Sequence, residues 1–173
     1  VWAAQWGWPG AIPVSGDYDA DGFGDLAVFD NNTGNWFIRS MATNVLAWNI
    51  GWGWPGAIPV PGDFSGDARN DLAVFDGNTG HWYIRTVAGQ SLVWAASWGW
   101  PGAIPVSGDY DADGISDMAV FDNNTGSWYV QTLEFNLLAW AVLWGWPGAI
   151  PVPGDFNGDG VSDLAVFDSN TGH

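Results

Sequence analysis

The sequence predicts an all-β fold built from four tandem, four-stranded blades of 46 residues, arranged as a β-propeller or as a propeller-like stacked repeat array. The run Trp-Gly-Trp-Pro-Gly-Ala-Ile-Pro-Val begins at Trp6, Trp52, Trp98 and Trp144, which are 46 residues apart. Repeats of this length are typical of propellers and solenoids, in which neighbouring units complete one another's core. No segment has the apolar periodicity of a helix.

Four strands are assigned within each repeat. The first is the Ala-Ile-Pro-Val of the repeated run, and the second is the Asp-Leu-Ala-Val-Phe type segment that follows an Asp-rich loop. A turn of the Asp-Asn-Asn-Thr-Gly type leads to a third strand, 36–39 in the first repeat, and a fourth spans 44–52. The second and third strands have apolar residues on both faces, as expected of a sheet covered on both sides.

We interpret the chain as one repeat domain, 1–173, with blade-like repeats at about 1–46, 47–92, 93–138 and 139–173, the last without its third strand. Three explanations stay open. The segment is cut from a longer array, the last strand is disordered or supplied by a neighbouring molecule, or the repeats form an open stack. Unpaired strands at Val1 and His173 would favour end-to-end association with further copies of the chain.

Each repeat contains a nine-residue loop with oxygen-bearing side chains at alternate positions. In the first loop, Asp17, Asp19, Asp21 and Asp25 occupy positions 1, 3, 5 and 9. Alternate carboxylates on a tight loop converge, and their repulsion is tolerable only if a hard cation binds between them. Calcium fits best, because it accepts six to eight oxygen ligands in flexible geometry, including a backbone carbonyl at position 7. Transition metals would require His or Cys nearby.

The four loops differ in their expected affinity for calcium. The candidate ligands are Asp17, Asp19, Asp21, Phe23 and Asp25; Asp63, Ser65, Asp67, Arg69 and Asp71; Asp109, Asp111, Asp113, Ile115 and Asp117; and Asp155, Asn157, Asp159, Val161 and Asp163. We expect up to four calcium ions. The second site, Asp63 to Asp71, is expected to be the weakest or empty, because position 3 has no charge and Ala68 stands where a positive φ favours Gly. The fourth loop retains a neutral oxygen at position 3 and is expected to bind.

Two other interpretations of these loops are weaker. An EF-hand needs a bidentate Glu at loop position 12, where this chain has Val28 and its counterparts, and it needs helical flanks. Simple turns use Asp and Gly for backbone reasons alone. Four loops in the same register favour the metal site over the turn.

The charge of the chain supports the metal interpretation and argues against several partners. The 19 acidic and three basic residues give a formal net charge of −16, and 14 of the acidic residues lie in the four loops. Metal removal should therefore loosen the fold by self-repulsion. No basic patch exists for nucleic acid. Insertion into a membrane is not expected, because the longest apolar stretch, 137–146, is too short to cross a bilayer.

The chain has no Cys, so no disulfide can hold the fold. Calcium sites in extracellular modules have dissociation constants of about 10⁻⁴ to 10⁻³ M, and they fill only where calcium is near millimolar. We therefore expect an extracellular or cell-surface location, in a bacterium.

The segment 153–167, Pro-Gly-Asp-Phe-Asn-Gly-Asp-Gly-Val-Ser-Asp-Leu-Ala-Val-Phe, resembles the FG-GAP/VCBS repeat of integrin α-subunit propellers and of many secreted bacterial proteins. The similarity covers essentially the whole chain. It implies propeller blades that coordinate calcium through Asp17, Asp19, Asp21, Asp25 and their counterparts. It implies no single activity, since members serve as adhesion heads, lectins and accessory modules of secreted enzymes. Here Trp replaces the usual Phe of the family's Phe-Gly element.

The 15 Trp residues allow an alternative in which the protein binds glycans. Exposed indoles can stack on sugar rings, and the Trp-Gly-Trp-Pro-Gly turn, with Trp8, Trp54, Trp100 and Trp146, is the best candidate for an exposed surface. Packing is favoured for most of the others. Trp48, Ile50, Trp52 and Trp54, for example, are every second residue and are expected to lie on one face of a strand.

Catalysis has little support in the sequence. His81 lies in a hairpin turn, His173 ends the chain, no Lys is present, and Ser15 has no base nearby to activate it. We therefore expect a non-catalytic, calcium-stabilised extracellular repeat protein with a structural or adhesive role, able to self-assemble into filaments or surface layers. The alternative is a lectin-like propeller module that binds glycans.

Overall fold

The computed structural model describes residues 5–42 and 44–173 and forms 14 strands in this part of the chain. The predicted all-β class is confirmed, because the described residues contain strands, turns and bends but no helix. In particular, none of them belongs to a helix of the length and apolarity needed to cross a membrane.

The first sheet has four antiparallel strands in sequence order: β1 (Ala11–Val14), β2 (Leu26–Asp30), β3 (Asn35–Arg39) and β4 (Val45–Gly51). These are the four strands predicted for a repeat, each within a residue or two of its predicted ends. Each strand pairs with the next along the chain, so the sheet is built from consecutive hairpins.

The remaining strands repeat this order. They are β5 (Ile58–Pro59), β6 (Leu72–Asp76), β7 (His81–Arg85) and β8 (Ser91–Ser97); β9 (Ile104–Gly108), β10 (Asp117–Asp122), β11 (Ser127–Gln131) and β12 (Leu137–Leu143); and β13 (Ile150–Pro151) with β14 (Val166–Phe167). Strands β5 and β13 are shorter than β1 and β9. Pro61 and Pro153 lie shortly after β5 and β13. The other two repeats have Ser at this position: Ser15 directly follows β1, and Ser107 lies within β9. Proline has no amide hydrogen to extend a ladder, which accounts for the shortening.

Two compact units are present: Val1–Phe75 with Tyr83–Trp94, and Asp76–Trp82 with Ala95–His173. The division passes through strands β6, β7 and β8, so the units do not coincide with the 46-residue repeats. Each unit has its own hydrophobic core.

In the first unit, the core joins the first sheet to β6. Phe29, Trp36 and Ile38 from β2 and β3 are fully buried against Leu72 and Val74. Four consecutive residues of β2, 27–30, are buried, so both faces of this strand are covered. The prediction of covered faces is therefore confirmed here.

In the second unit, the core is built in the same way around β10 and β11. Phe121, Trp128 and Val130 pack with Val106 of β9 and Ala149, which precedes β13. Five consecutive residues of β10, 117–121, are buried. The repeated sequence thus produces an equivalent core in each unit.

One fully buried tryptophan recurs on the third strand of each four-stranded sheet. Its indole N–H donates to the backbone carbonyl of the tryptophan that begins the next repeated run: Trp36 to Trp52 at 2.8 Å, Trp82 to Trp98 at 2.7 Å, and Trp128 to Trp144 at 2.8 Å. A buried indole requires such an acceptor. The bond fixes the third strand to the segment that leaves the fourth.

Strands β4 and β12 contain a β-bulge that the alternation of the sequence does not reveal, and β8 has the same positive φ at the equivalent residue. Residues 48 and 50 of β4 pair with consecutive residues of β3, which leaves Asn49 as an extra residue with φ 59°. Ala95 and Ala141 have φ of 56° and 54° at the same place. Because an extra residue reverses the alternation, the predicted common face is wrong for Trp48, which is 62% exposed. Ile50, Trp52 and Trp54 all pack against the core.

Candidate metal centre

All four Asp-rich loops connect the first strand of a sheet to the second, as predicted. We call them loop one (17–25), loop two (63–71), loop three (109–117) and loop four (155–163). Each begins at the Asp of a Gly-Asp step. Loops one to three return directly into buried strands, and loop four is followed by the partly exposed β14. The loops therefore have rigid antiparallel strands on both sides, which fixes the ends of each carboxylate-bearing segment.

The carboxylate at position 1 organises the turn of loop one. Asp17 accepts hydrogen bonds from the backbone N–H groups of Asp19, Ala20 and Gly22, at 3.3, 2.7 and 2.8 Å. Desolvation opposes the ionisation of Asp17, but these hydrogen bonds outweigh it and hold its pKa below the ordinary value. The carboxylate is thus kept charged and directed towards the interior of the loop.

This turn requires positive φ at two loop positions. Position 6 is the one predicted, and Ala68 in loop two has φ 65° there, whereas the other loops have Gly. Position 4 has the same conformation, with φ 61° at Ala20 and 62° at Ala112. Gly66 and Gly158 stand at this position in loops two and four, with φ 73° and 80°, so two of the four copies carry the residue that indicates positive φ, whereas Ala20 and Ala112 do not indicate it.

Two carboxylate oxygens in loop one have no hydrogen-bond donor. Oδ2 of Asp25 accepts the backbone N–H of Tyr18 at 2.8 Å. Its Oδ1 is buried, as is Oδ1 of Asp19, and neither accepts a hydrogen bond from the described residues. Burial raises the pKa of Asp25, and the nearby charges of Asp19 and Asp17 raise it further. Buried anionic oxygens without donors are costly, and a bound cation would supply the missing partner.

Loops one and three each bring three carboxylate groups together. One oxygen from each side chain lies within 4.8 Å of the others in two groups: Asp17, Asp19 and Asp21, and Asp109, Asp111 and Asp117. Asp25 and Asp113 belong to the same loops but lie outside these groups of three. An all-oxygen set suits calcium or magnesium, and it lacks the nitrogen and sulfur ligands that transition metals prefer. The residues present therefore fit a hard divalent cation.

Loops two and four keep the turn but have a neutral side chain at position 3. The hydroxyl of Ser65 donates to Oδ1 of Asp63 at 3.3 Å, and the amide of Asn157 donates to Oδ1 of Asp163 at 3.3 Å. Among the described residues, three acidic side chains do not converge in either loop. That loop two binds most weakly and that loop four binds calcium both stay predictions.

The position 7 residues are connected to the loop interior through their amides. In every loop the N–H of position 7 donates to the carboxylate of position 5, at 2.8 to 3.0 Å: Phe23 to Asp21, Arg69 to Asp67, Ile115 to Asp113, and Val161 to Asp159. This bond holds the backbone of position 7 beside the carboxylates. Its carbonyl as a metal ligand stays a prediction.

Neighbouring loops are hydrogen-bonded to each other within each unit. The N–H of Asp17 donates to Oδ1 of Asn70 at 2.9 Å, and the N–H of Asn70 donates to the Asp17 carbonyl at 2.6 Å. Ser162 donates to the Asp109 carbonyl in the same manner, at 2.5 Å. Position 8 of one loop therefore positions the first ligand residue of the loop before it, an arrangement that no spacing within a single repeat could indicate.

The position 9 carboxyls of loops two and three are almost completely buried. Asp71 and Asp117 are each 1% exposed, and their Oδ2 atoms accept the N–H groups of Phe64 and Tyr110 at 2.9 and 2.8 Å. Burial raises the pKa of both carboxyls to about 7, against the opposing effect of these hydrogen bonds. The neighbouring loop carboxylates add to the increase. In the metal-free protein, these two carboxyls therefore keep a proton at pH values at which an exposed Asp is ionised.

The free energy of unfolding of the metal-free protein is expected to fall as the pH rises from about 4 to about 7. Asp71 and Asp117 have a pKa of about 7 when folded and about 3.9 when unfolded, so the folded state binds more protons in this window. Carboxyls with lowered pKa, such as Asp17 and Asp155, titrate below it. Thermal unfolding in EDTA across this range measures the effect.

A variant with Asp71→Asn and Asp117→Asn controls for this experiment. It removes the two groups with the largest increase in pKa with little change of shape, and it should lose most of the pH dependence between about 4 and about 7, leaving the part due to Asp25, whose pKa burial also raises. A wild-type stability that is constant or increases over the same window would contradict the assignment of these two carboxyls.

The tryptophans are distributed differently from the prediction. The most exposed are those on the bulged strands β4, β8 and β12, with Trp48, Trp94 and Trp140 at 62%, 71% and 65%. The turn predicted to be exposed is exposed in part: Trp8, Trp144 and Trp146 are 40%, 58% and 43% exposed. Alternation along the strand does not indicate the first set, because the bulge that turns them outwards has no residue signature.

No family model, no curated protein and no solved structure matches the chain. The resemblance to FG-GAP/VCBS repeats therefore depends on the residues of the loops and of the strands beside them.

Proposed function

We propose that this chain is a non-catalytic, calcium-stabilised module of an extracellular repeat protein with a structural or adhesive role. The main support is the pair of buried carboxylate oxygens, Oδ1 of Asp19 and Oδ1 of Asp25, that no donor satisfies. A fold that buries such oxygens needs a cation to offset their charge. Calcium bound there would join the two ends of loop one and so fix β1 against β2.

Calcium is preferred to magnesium on geometric grounds. The carboxylates of loop one are held by backbone hydrogen bonds at several angles around the turn. Calcium accepts irregular sets of six to eight oxygens, and magnesium retains its water unless the geometry is nearly ideal. An extracellular location follows from the low affinity expected of such sites.

We also propose that the four-stranded sheets are blades of a propeller or of a propeller-like stack. The support is that β2 and β10 are buried on both faces and that each sheet is a meander of consecutive strands. Self-association through open strand edges would then extend the array. The strand edge predicted at Val1 lies outside the described residues.

Calorimetric titration of the metal-free protein with calcium chloride tests the proposal. Loop one is expected to bind with a dissociation constant of about 10⁻⁴ to 10⁻³ M. Asp25→Asn should reduce the number of sites by one, because it removes the charge of a buried ligand. Asp30→Asn is the matched control: it removes the same charge from a turn outside the loops, where Asp30 accepts the N–H of Asn32.

Two results would contradict the proposed function. One is an absence of heat on adding calcium to the metal-free protein. The other is an equal response of wild type, Asp25→Asn and Asp30→Asn, which would mean that calcium binds diffusely to the acidic surface. A response to magnesium as strong as that to calcium would contradict the preference for calcium.

A further inference from the structure

An aromatic cleft recurs in three repeats and shares no residue with the metal loops. Cleft two is lined by Trp52, Trp54, Tyr83, Arg85 and Trp94 and has a volume of about 350 Å³. Cleft three is lined by Trp98, Trp100, Tyr129 and Trp140 and has a volume of about 220 Å³. Cleft one is formed by the ring contacts of Trp6, Trp8, Phe37 and Trp48.

The walls of each cleft meet at nearly right angles. In cleft two, Trp54 and Trp94 lie at 84° and 89° to Tyr83, with centroids 5.0 and 5.4 Å away. In cleft three, Trp100 and Trp140 have the same relation to Tyr129, at 83° and 89°. Edge-to-face contacts of this kind are favourable and hold the rings in place. Trp94 and Trp140 are nevertheless 71% and 65% exposed, so a ligand can reach them.

Stability of the fold does not account for the exposed indoles of the three clefts, Trp48, Trp94 and Trp140. Trp36, Trp82 and Trp128 supply the buried aromatic core of the sheets. Trp48, Trp94 and Trp140 are instead the most exposed tryptophans of the described chain, so they gain comparatively little from burial. Large exposed apolar groups that recur at one place on a surface mark a binding surface rather than a core.

A charged hydrogen-bond donor accompanies clefts one and two. The Arg39 guanidinium lies 5.9 Å from the ring centroid of Trp6, and that of Arg85 lies 5.5 Å from the ring centroid of Trp52. Gln131 occupies the equivalent place on β11, but it is buried and does not line cleft three. Arg39 and Arg85 are two of only three basic residues in a chain of net charge −16. Their charge disfavours a cationic ligand in clefts one and two, and their N–H groups suit an oxygen-rich one.

We propose that these clefts bind pyranose rings of a glycan. The C–H groups of a sugar ring form an apolar face that fits the negative face of an indole, and its hydroxyl oxygens accept hydrogen bonds from Arg39 and Arg85 beside clefts one and two. Small-molecule pockets have volumes of about 300–1,000 Å³, so clefts of 220 to 350 Å³ accept a single ring. This goes beyond the calcium-dependent role, because the clefts use no metal ligand.

The test uses the full chain in calcium, with saturation-transfer NMR and calorimetry. The compounds are methyl β-D-glucopyranoside, methyl α-D-mannopyranoside, methyl β-D-galactopyranoside and N-acetyl-D-glucosamine, with tetramethylammonium chloride as the cationic comparison. At least one pyranose is expected to bind with a dissociation constant of about 1 mM. The triple variant Trp48→Ala, Trp94→Ala and Trp140→Ala should weaken this binding at least tenfold. Leu137→Ala, another exposed apolar residue of β12, should leave it unchanged.

A second variant keeps the test informative if the triple variant does not fold. Arg39→Met with Arg85→Met retains the rings and removes the donors, so it should weaken binding of the pyranose in clefts one and two. The proposal is overturned if no pyranose binds at about 100 times the expected dissociation constant. It is also overturned if the triple variant folds and binds as the wild type does, or if tetramethylammonium alone binds.

Discussion

Replacing Gly126 by alanine is expected to destabilise the protein by at least about 4 kcal/mol, a loss large enough to unfold most domains. Gly126 has φ 79°, and a Cβ there would lie within 2.6 Å of the Gly145 carbonyl oxygen and closer still to the Gly145 carbonyl carbon and the Trp146 nitrogen. The left-handed backbone alone costs alanine about 1–2 kcal/mol. The remaining loss arises because backbone, unlike a flexible side chain, cannot move aside.

Gly148→Ala is the matched control for this prediction. Gly148 has φ 88°, but a Cβ there meets nothing within 4 Å. The control therefore has the conformational strain without the overlap and should lose only about 1–2 kcal/mol. Urea unfolding followed by tryptophan fluorescence gives both values. Equal losses in the two variants would show that the close approach of Gly126 to the next segment is not required.

The same approach exists at Gly34 and Gly80, so it is a property of the repeat. In each case the glycine carbonyl accepts the N–H of the tryptophan that begins the next run, as Gly126 does from Trp144 at 3.2 Å. The Asp-Asn-Asn-Thr-Gly turn therefore fixes the exit of its own sheet as well as closing a hairpin. The sequence shows a turn at this place, but it does not show which backbone lies beside it.

The strands were predictable because the information that defines them is local. Alternating apolar residues, the Asp-rich loops and the hairpin turns are each contained within a few residues, and four copies confirm one another. The bulge in the fourth strand was not predictable in this way. Its extra residue is Asn49, Ala95 or Ala141, and neither Asn nor Ala is specific to a bulge. The outward direction of Trp48 could therefore not be derived from alternation.

In the candidate metal centre too, the local features could be predicted from the sequence and the tertiary ones could not. The ligand spacing and the positive φ at Ala68 followed from the loop sequence, since they depend on one turn of backbone. The pKa values of Asp71 and Asp117 did not, because burial by the surrounding strands raises them. The bond between Asn70 and Asp17 joins residues 53 positions apart. Only the folded chain brings such partners together.

The aromatic clefts depend still more on tertiary structure. Cleft two combines Trp52 and Trp54, which follow β4, with Tyr83 of β7 and Trp94 of β8. The sequence suggested exposure at the Trp-Gly-Trp-Pro-Gly turn. The structure places one outer wall of the cleft on a different strand, since the bulge turns Trp94 outwards.

Removing calcium is expected to lower the melting temperature by about 6–12 °C relative to protein in calcium at ten times the dissociation constant. Each occupied site then contributes about 1.4 kcal/mol. Loops one and three, where three carboxylates converge, would together contribute about 3 kcal/mol. For a chain of this length, 1 kcal/mol corresponds to about 2–4 °C. Differential scanning calorimetry in calcium and in EDTA measures the shift.

Screening of the net charge of −16 would also stabilise the protein, so the comparison needs sodium chloride at equal ionic strength in both samples.

The variant Asp25→Asn with Asp117→Asn separates ligation from screening. It replaces a position 9 carboxylate in each of the two loops, and both side chains are buried. In EDTA, at a pH above the folded pKa of Asp117, it should melt above the wild type, because two unfavourable buried charges are gone. In calcium it should gain little, because a ligand is lost from each site. If the wild type melts at the same temperature in calcium and in EDTA, the loops fold without an ion. If calcium raises the melting temperature of the variant as much as that of the wild type, the stabilisation is due to screening.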